Sequence, residues 1–398
     1  MSRDARKELI RQIEEKRGTK VITYVTSDRQ NLSSHIDGKA VSILHEHILQ
    51  IPENERKKLD LFIYSRGGHS DIPWTIVSMF RQYCEKGSFS VLIPYRAHSA
   101  ATVIALGADE IVMTKKAELG PIDITMQSGP YNPRDSGSNR PLPIAVEDVM
   151  GYFALLNKVG CEQPDQKRDG FQFLAEHVHP LALGSVNRLL EETKLVAYRL
   201  LSTRATPFTG DENQEIIRKI SSEVYSHAHA IHRTEALQNI GLKQVKNAEN
   251  DNISEELWEL YKAYADLFKF EVPFKPEEEL ILNNLMQKDW TDINLSCIES
   301  LNRCDVYQQS VRTRVVKQVP PQVTINIANI NLPQINIGTG PQIVAPAQAQ
   351  QIIQQAAQKI IHQTVQIAAQ NATEQLMKSL PHAGFEHLVY NARWMEVD

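Results

Sequence analysis

The chain has 398 residues, of which 42% are hydrophobic and 23% charged, and its formal net charge at pH 7 is -5. This composition is typical of a globular protein that can bury a sizeable core. The negative charge argues against a nucleic-acid binder that depends on phosphate contacts. Because the start is polar and no run of about 18 apolar residues follows, the sequence predicts a cytoplasmic protein without a membrane span.

The four cysteines, Cys84, Cys161, Cys297 and Cys304, are scattered along the chain without a CxxC pair. This spacing predicts reduced thiols, and it indicates neither a zinc site nor a disulfide framework. The sequence also lacks a Walker A motif, so any dependence on ATP would have to come from a partner chain. We therefore expect no metal and no cofactor.

Strands and helices alternate in the first part of the chain. The predicted helices are 4–17, 36–51 and 71–85, and the predicted strands are 20–26, 59–65, 91–95 and 110–114. This order indicates an α/β fold built from right-handed βαβ units, with a largely parallel sheet covered on both faces. A loop rich in Gly, Pro, Asn and Ser is predicted for residues 126–143.

Helical patterns follow the loop at 145–156, 171–201, 213–225 and 234–239, with Gly241 as a helix C-cap. Beyond residue 247 the sequence predicts helices at 255–268 and 276–287, an Asn/Gln-rich strand-like segment at 320–337, and a long amphipathic helix at 347–380. That last helix has to bury its apolar stripe, either on a partner subunit, which we expect, or on its own domain.

These patterns divide the chain into four parts. They are an N-terminal helix (1–17), an α/β domain (18–246), a helical extension (247–317), and a C-terminal segment for oligomerisation or partner binding (318–398).

Two short motifs lie at neighbouring turns of the predicted sheet. Gly67 and Gly68 end the second strand, and Ser99 stands between the third strand and a helix of small residues. Alone, the glycines are typical of a tight turn and the serine of an N-cap. Together they indicate acyl transfer, with Ser99 as nucleophile and an oxyanion hole built from the backbone N–H groups of Gly67, Gly68 and Ala100.

The segments LDLFIYSRGG, AHSAATVIALGADEIVM and AELGPID, with a later EA…GL pattern, resemble the serine dehydrogenase proteinase family over residues 18–246. These are Clp-fold serine peptidases related to signal-peptide peptidases and to the proteolytic subunits of Clp protease. The resemblance implies a Clp/crotonase-type fold, hydrolysis of peptides or proteins through an acyl-enzyme, and a homo-oligomer. Ser99 matches the family's nucleophile, and Gly67 and Gly68 match its oxyanion glycines. Two positions depart from the family's pattern, with Arg66 replacing a proline and Ala101 replacing a glycine.

The general base is not evident. Clp-type peptidases place a histidine about 25 residues after the nucleophile, where this chain reads LGPID, and the lysine of membrane-associated relatives is also missing. His227 is our candidate, because it lies near where the third triad member of Clp-type enzymes falls. The other candidates are His98, His69 and Asp148, followed by Glu147, His177, His179 and His229. For each of them, helix capping or ion pairing is the alternative role.

Two other functions stay open. A crotonase-type enzyme acting on an acyl-thioester would use the same oxyanion N–H groups without a serine nucleophile. A catalytically silent oligomer would use the fold for assembly alone, and the missing base favours it.

Overall fold

The computed structural model describes residues 2–122, 125–223, 229–318 and 347–397. The chain forms two compact units, each built from several segments. Unit 1 comprises Met1–Phe274, Thr291–Ser310 and Asn391–Asp398, and unit 2 comprises Lys275–Trp290 and Val311–Tyr390. The strand-like segment predicted at 320–337 lies outside the described residues.

The strands, in chain order, are β1 (Lys20–Thr26), β2 (Asp28–Arg29), β3 (Leu32–Ser33), β4 (Leu59–Tyr64), β5 (Phe89–Ile93), β6 (Arg96–Ala97), β7 (Glu110–Met113), β8 (Glu118–Leu119), β9 (Thr125–Met126), β10 (Ile144–Ala145), β11 (Ile231–His232), β12 (Val245–Asn247), β13 (Gln287–Glu299), β14 (Cys304–Lys317) and β15 (His382–Glu396). The α-helices are α1 (Arg3–Arg17), α2 (Lys39–Gln50), α3 (Ile72–Tyr83), α4 (Ala100–Leu106), α5 (Val146–Lys158), α6 (Pro164–His177), α7 (Pro180–Ser202), α8 (Gly210–Arg218), α9 (Arg233–Glu235), α10 (Ser254–Phe268), α11 (Pro276–Leu282) and α12 (Ala347–Ser379).

The main sheet has the strand order β12-β7-β5-β4-β1-β13-β14-β15. Strands β1, β4, β5 and β7 pair in parallel, as the alternating pattern predicts. The strand β12, which was not predicted from the sequence, pairs in parallel with β7, whereas β13 pairs with β1 in the antiparallel sense. The sheet is therefore mixed. A small second sheet, with the order β11-β8-β6, lies at the carboxyl end of β5 and leads into α4.

Helices cover both faces of the parallel strands. Side chains alternate along β1, so that Ile22 and Tyr24 join one core cluster while Val21 and Val25 join another. The first cluster is completed by residues of α2, α3, α4 and α7, and the second by residues of α1 and α10. Two helices that the sequence places outside the α/β domain therefore form one of its layers.

The structure corrects three of the predicted elements. The helix predicted at 171–201 is two helices, α6 and α7, because Pro180 lacks an N–H and disfavours helical backbone at His179. The helix predicted at 276–287 ends at Leu282. Residues 287–317, which belong to the predicted helical extension, form the strands β13 and β14.

Unit 2 contains α11, α12 and parts of the three long strands β13, β14 and β15. Within it, Thr313 Oγ1 lies 2.9 Å from His387 Nδ1, and Arg312 binds both carboxylate oxygens of Asp289. Among the described helices of the chain, none is long and apolar enough to cross a membrane.

Candidate active site

Ser99 stands at a sharp turn between β6 and α4. Its backbone angles, φ 51° and ψ -117°, lie in a region that non-glycine residues rarely adopt. Such a conformation costs on the order of 1–3 kcal/mol and is frequent at functional sites. The Ser99 side chain makes no capping hydrogen bond, so the simple N-cap interpretation does not hold. Ser99 is partly buried, and its hydroxyl has no hydrogen-bond partner among the described residues.

Gly67 lies directly against Ser99. A β-carbon built at Gly67 would stand 2.7 Å from Ser99 Cβ and 3.2 Å from its Oγ, and the backbone of Gly67 has φ +113°. Only glycine fits this position, because both the space and the dihedral exclude a side chain. The Gly67 N–H donates to Ser65 Oγ at 3.0 Å, so this donor is already used.

Gly68 presents an open N–H group. Ile36 pairs with this strand segment by donating its N–H to the Gly67 carbonyl (2.9 Å) and accepting from the His69 N–H (3.1 Å). Because backbone groups alternate along an extended chain, the N–H of Gly68 points away from Ile36. Neither this N–H nor that of Ala100, the first residue of α4, donates to any described residue.

His98, the neighbour of Ser99, is buried and held by Glu118. The pairing of β6 with β8 places Glu118 Oε1 3.1 Å from His98 Nε2. Burial lowers the pKa of His98 to about 4; Glu118 opposes this shift, while the cations Arg66 and Arg96 reinforce it. At neutral pH the ring is therefore neutral, its Nε2–H donates to Glu118, and Nδ1 is left as an acceptor.

A network of ion pairs leads outward from His98. Arg96 lies 3.0 Å from the same Glu118 oxygen and 3.2 Å from Asp28 Oδ2. The Asp28 carboxylate also accepts from Arg66 at 2.9 Å and from the Tyr64 hydroxyl at 2.8 Å. The residue beside the nucleophile is thus connected through two carboxylates to Arg66, which directly precedes Gly67.

Residues 1–133 match the family of ClpP-like SDH-type serine proteinases. The match confirms the resemblance drawn from the motifs, and it includes Gly67, Gly68, Ser99 and Ala100. It agrees with the observed ClpP-like α/β arrangement of a mixed sheet with helices on both faces.

Two individual proteins are also similar to this chain. The Methanocaldococcus jannaschii uncharacterized protein MJ1495 is 26% identical over 265 residues, which cover 64% of this chain and 75% of the relative. A solved structure of a ClpP1 mutant from Listeria monocytogenes covers 61% of this chain and 98% of its own, with 12% identity and a TM-score of 0.31.

The other candidate bases make no hydrogen bond to Ser99 among the described residues. Asp148 is exposed in the first turn of α5, which lies beyond the segment matched by the family. His69 directly follows Gly68 and is exposed. Burial lowers the pKa of His35, and His69 adds to this effect. His227, like Asp123 of the LGPID segment, lies outside the described residues, so its predicted role stays a prediction.

Three further histidines have the alternative structural roles. His179 caps α7 by accepting from the Leu181 N–H at 3.2 Å, and its ring stacks on Tyr131. His177 Nδ1 contacts the Phe173 carbonyl at 2.9 Å, and His229 Nε2 contacts Glu235 at 2.9 Å.

Among the described residues, one buried group brings together three side chains of the types that bind metals. Cys297, Glu299 and Cys304 have ligand atoms within 4.8 Å of one another, with the two sulfurs 3.7 Å apart, which the scattered spacing of the cysteines did not predict. The Glu299 carboxylate, however, already accepts from Arg6 at 2.6 Å and from the Tyr264 hydroxyl at 2.8 Å. A guanidinium at this position opposes a second cation, so the group does not fit a metal well.

The sequence reasoning missed Glu118 and Gly120. Both lie in the segment AELGPID, which was used only for the family resemblance. A carboxylate at the start of a short strand gives no signal of its own, because its partner is 20 residues away in the chain.

Proposed function

We propose that unit 1 is a serine peptidase in which Ser99 is the nucleophile and the N–H groups of Gly68 and Ala100 form the oxyanion hole. The observation that supports this proposal best is the contact between Gly67 and Ser99. This contact brings together two motifs that are about 30 residues apart in the chain. The N–H groups of Gly68 and Ala100 have no partner among the described residues, and Ser99 has a strained backbone. The description of the matched family as serine proteinases supports the same reaction.

We further propose His98 as the general base and Glu118 as the residue that orients it. His98 Nε2 is engaged by Glu118, so the tautomer has its lone pair on Nδ1. The low pKa of His98 keeps this lone pair available at neutral pH. The pKa of about 4 makes His98 a weak base in the free enzyme, and this value already includes the favourable effect of the Glu118 carboxylate on the imidazolium.

The reaction would proceed in two steps. Ser99 Oγ attacks the peptide carbonyl while its proton passes to His98 Nδ1, and the oxyanion accepts from Gly68 and Ala100. His98 then returns the proton to the leaving amine, and an acyl-enzyme remains on Ser99. In the second step a water molecule gives a proton to His98 and attacks the ester, which releases the acid and restores the hydroxyl.

A fluorophosphonate probe tests the nucleophile directly. We expect the full-length wild-type chain to be labelled and Ser99→Ala to remain unlabelled, whereas Ser70→Ala, a change at a partly buried serine that follows the same glycines, should leave labelling intact. His98→Gln should slow labelling by about 10²-fold or more.

Absence of labelling in folded wild-type protein would contradict the proposal. Hydrolysis of an acyl-thioester by that protein would then favour the crotonase-type enzyme, and inactivity toward both substrates would favour the silent oligomer.

A further inference from the structure

A pocket of about 710 Å³ opens beside the candidate active site, within unit 1. This volume is within the range of roughly 300–1,000 Å³ that is usual for ligand sites. The pocket lies at the carboxyl ends of β4 and β5, where Tyr64 and Tyr95 form part of its wall, and α10 forms the opposite wall with Trp258 and Tyr261. Ligands of parallel sheets commonly bind in such crevices.

Cations outnumber carboxylates around this pocket. The lining cations are Arg66, Arg96, Lys116, Lys262 and Lys269, and the lining carboxylates are Asp28, Asp266 and Glu271. The Asp28 carboxylate is already shared between two arginines and the Tyr64 hydroxyl. A bound anion would therefore meet a positive surface.

Lys116 offers a specific anchor for that anion. Its ammonium lies 4.7 Å from the ring centroid of Tyr95 and 4.7 Å from that of Trp258. These rings hold the cation in place without neutralising it. Among the described residues Lys116 has no carboxylate within ion-pairing distance, so its N–H groups are available to a ligand carboxylate.

One residue of the pocket wall is the chain neighbour of Gly67, which contacts Ser99. Arg66, half-exposed on its wall, precedes Gly67, and consecutive α-carbons are about 3.8 Å apart. An extended peptide advances about 3.3 Å per residue. Arg66 and Arg96 are also close enough to His98, the neighbour of Ser99, to lower its pKa, so a few residues of an extended peptide can span the distance from Ser99 to the pocket wall.

We propose that this pocket binds an acidic segment of the peptide substrate, with the substrate carboxylates at Lys116 and Arg66 and an adjacent apolar side chain against Tyr95 and Trp258. This assignment of substrate class rests on the proposed peptidase function. A small anionic ring compound such as a nucleotide has the same charge, but the position of Arg66, which lines the pocket and directly precedes Gly67 in the chain, favours the peptide.

The site is coupled to catalysis through charge. The two arginines of its wall help to lower the pKa of His98. A substrate carboxylate bound near them would offset their charge and make His98 a stronger base. Acidic substrates would then gain in turnover as well as in affinity.

The test separates binding from chemistry by using the full-length Ser99→Ala variant. One probe is a fluorescein-labelled peptide with glutamates beside a phenylalanine, and the other is its twin with glutamines in place of the glutamates. Fluorescence anisotropy should give a Kd at least about tenfold lower for the glutamate peptide. In the same background, Arg66→Gln and Lys116→Gln should each remove most of that difference. Lys57→Gln, which removes an exposed lysine outside the pocket, should preserve it.

Equal affinity for the two peptides would overturn the inference, as would a difference that survives both pocket substitutions. A second outcome would also overturn the inference: ATP changes the fluorescence of Trp258 and the glutamate peptide does not. The signal is assigned to Trp258 by its loss in Trp258→Phe. This outcome would assign the pocket to nucleotides. Because no step of this assay requires hydrolysis, peptide selectivity without fluorophosphonate labelling would contradict the proposed function and leave the pocket's preference for acidic peptides standing.

Discussion

The imidazole ring of His98 lies against the backbone of Gly120. A β-carbon built at Gly120 would stand 2.8 Å from both Cβ and Cγ of His98. The ring therefore fills the space that a side chain would need at the start of the GPID segment, which is the region where Clp-type peptidases are expected to have their histidine. In the proposed mechanism the histidine comes from the residue before Ser99, and the missing side chain at position 120 makes room for it.

Gly120→Ala should reduce catalysis, and the added methyl group should also cost about 1–3 kcal/mol of folding stability. The new methyl group displaces the His98 ring, and a misplacement of about 1 Å can lower kcat/KM by roughly 10²-fold. We expect a loss of that order in peptide hydrolysis. Gly184→Ala, at an exposed helical position with nothing within 4 Å, is the matched control and should retain full activity. Equal activity of the two variants would exclude His98 as a base held by this packing.

The pH profile should reflect the unusual pKa of His98. Because this pKa is lowered to about 4, kcat/KM should stay level from neutral pH downward and fall only near pH 4, rather than near the ordinary histidine value of about 6.5. A profile with its acid limb near 6.5 would indicate a different base, such as an exposed histidine.

The same shift predicts how stability depends on pH. An unfolded chain binds a proton at His98 below about pH 6.5, whereas the folded chain does so only near pH 4, so the contribution is complete above 6.5 and is lost as the pH falls toward 4. In urea unfolding, the wild type should lose more stability than His98→Gln between those two pH values. Parallel losses in the two proteins would contradict this prediction.

Gly67→Ala should abolish activity. The substitution places a methyl group 2.7 Å from Ser99 Cβ and forces alanine to φ +113°, so that Ser99 or the strand end must move. We expect no detectable fluorophosphonate labelling and a stability loss of about 1–3 kcal/mol. Gly160→Ala is also strained by a positive φ but has open space around it, and it should label normally. Normal labelling of Gly67→Ala would show that the contact is not needed.

The stability of the main sheet should depend on a buried ion pair at the amino end of β4. Asp60 of β4 is fully buried and accepts from Arg17 at 2.5 Å and from Thr19 Oγ1 at 2.8 Å. Asp60→Ala leaves the guanidinium without its buried partner and should cost about 3–5 kcal/mol in urea unfolding. Asp251→Ala removes the more exposed partner of the same arginine and should cost about 1 kcal/mol or less. Similar losses in both variants would show that burial of the carboxylate does not determine how much its ion pair with Arg17 stabilises the fold.

The apolar residues of α12 are expected to contact a second copy of the chain. Ile360, Ile361, Val365 and Ile367 are each 36–58% exposed, which a stable helix of this length does not leave to water. The double change Ile361→Glu and Val365→Glu should therefore lower the oligomer mass measured by light scattering. Gln363→Glu, an exposed polar position on the same helix, should leave the mass unchanged. An unchanged mass in the double variant would exclude this interface.

The sequence predicts the parallel part of the fold and the pair of motifs well, because both depend on local patterns. Strand and helix periods are visible over a few residues, and Gly67 and Ser99 each stand at the end of such a pattern. The strands β13 and β14 give a weaker signal. Their inward positions include Glu299 and Asp305, which are buried because Arg6, His47 and Arg303 pair with them, and these charges interrupt the alternation.

The role proposed for His98, one of several candidate bases, could not be singled out from the sequence for a different reason. The direction of the His98 side chain depends on the contact with Gly120 and on the β6–β8 pairing, which brings in Glu118. Neither contact can be read from the residues around Ser99. In the same way, the sequence predicts α1 and α10 as helices, but only the packed structure shows that together they cover the second face of the sheet.

The pairing of Ile36 with Gly68 has a consequence for the direction in which a substrate can enter. Ile36 occupies one edge of the strand end, and the N–H and C=O of Gly68 face the other edge. A substrate that hydrogen-bonds to this free edge adopts an extended backbone and becomes an additional strand for the length of the site. Proline lacks the N–H for such pairing, so polypeptides would be cut preferentially in unfolded stretches that are free of proline around the scissile bond.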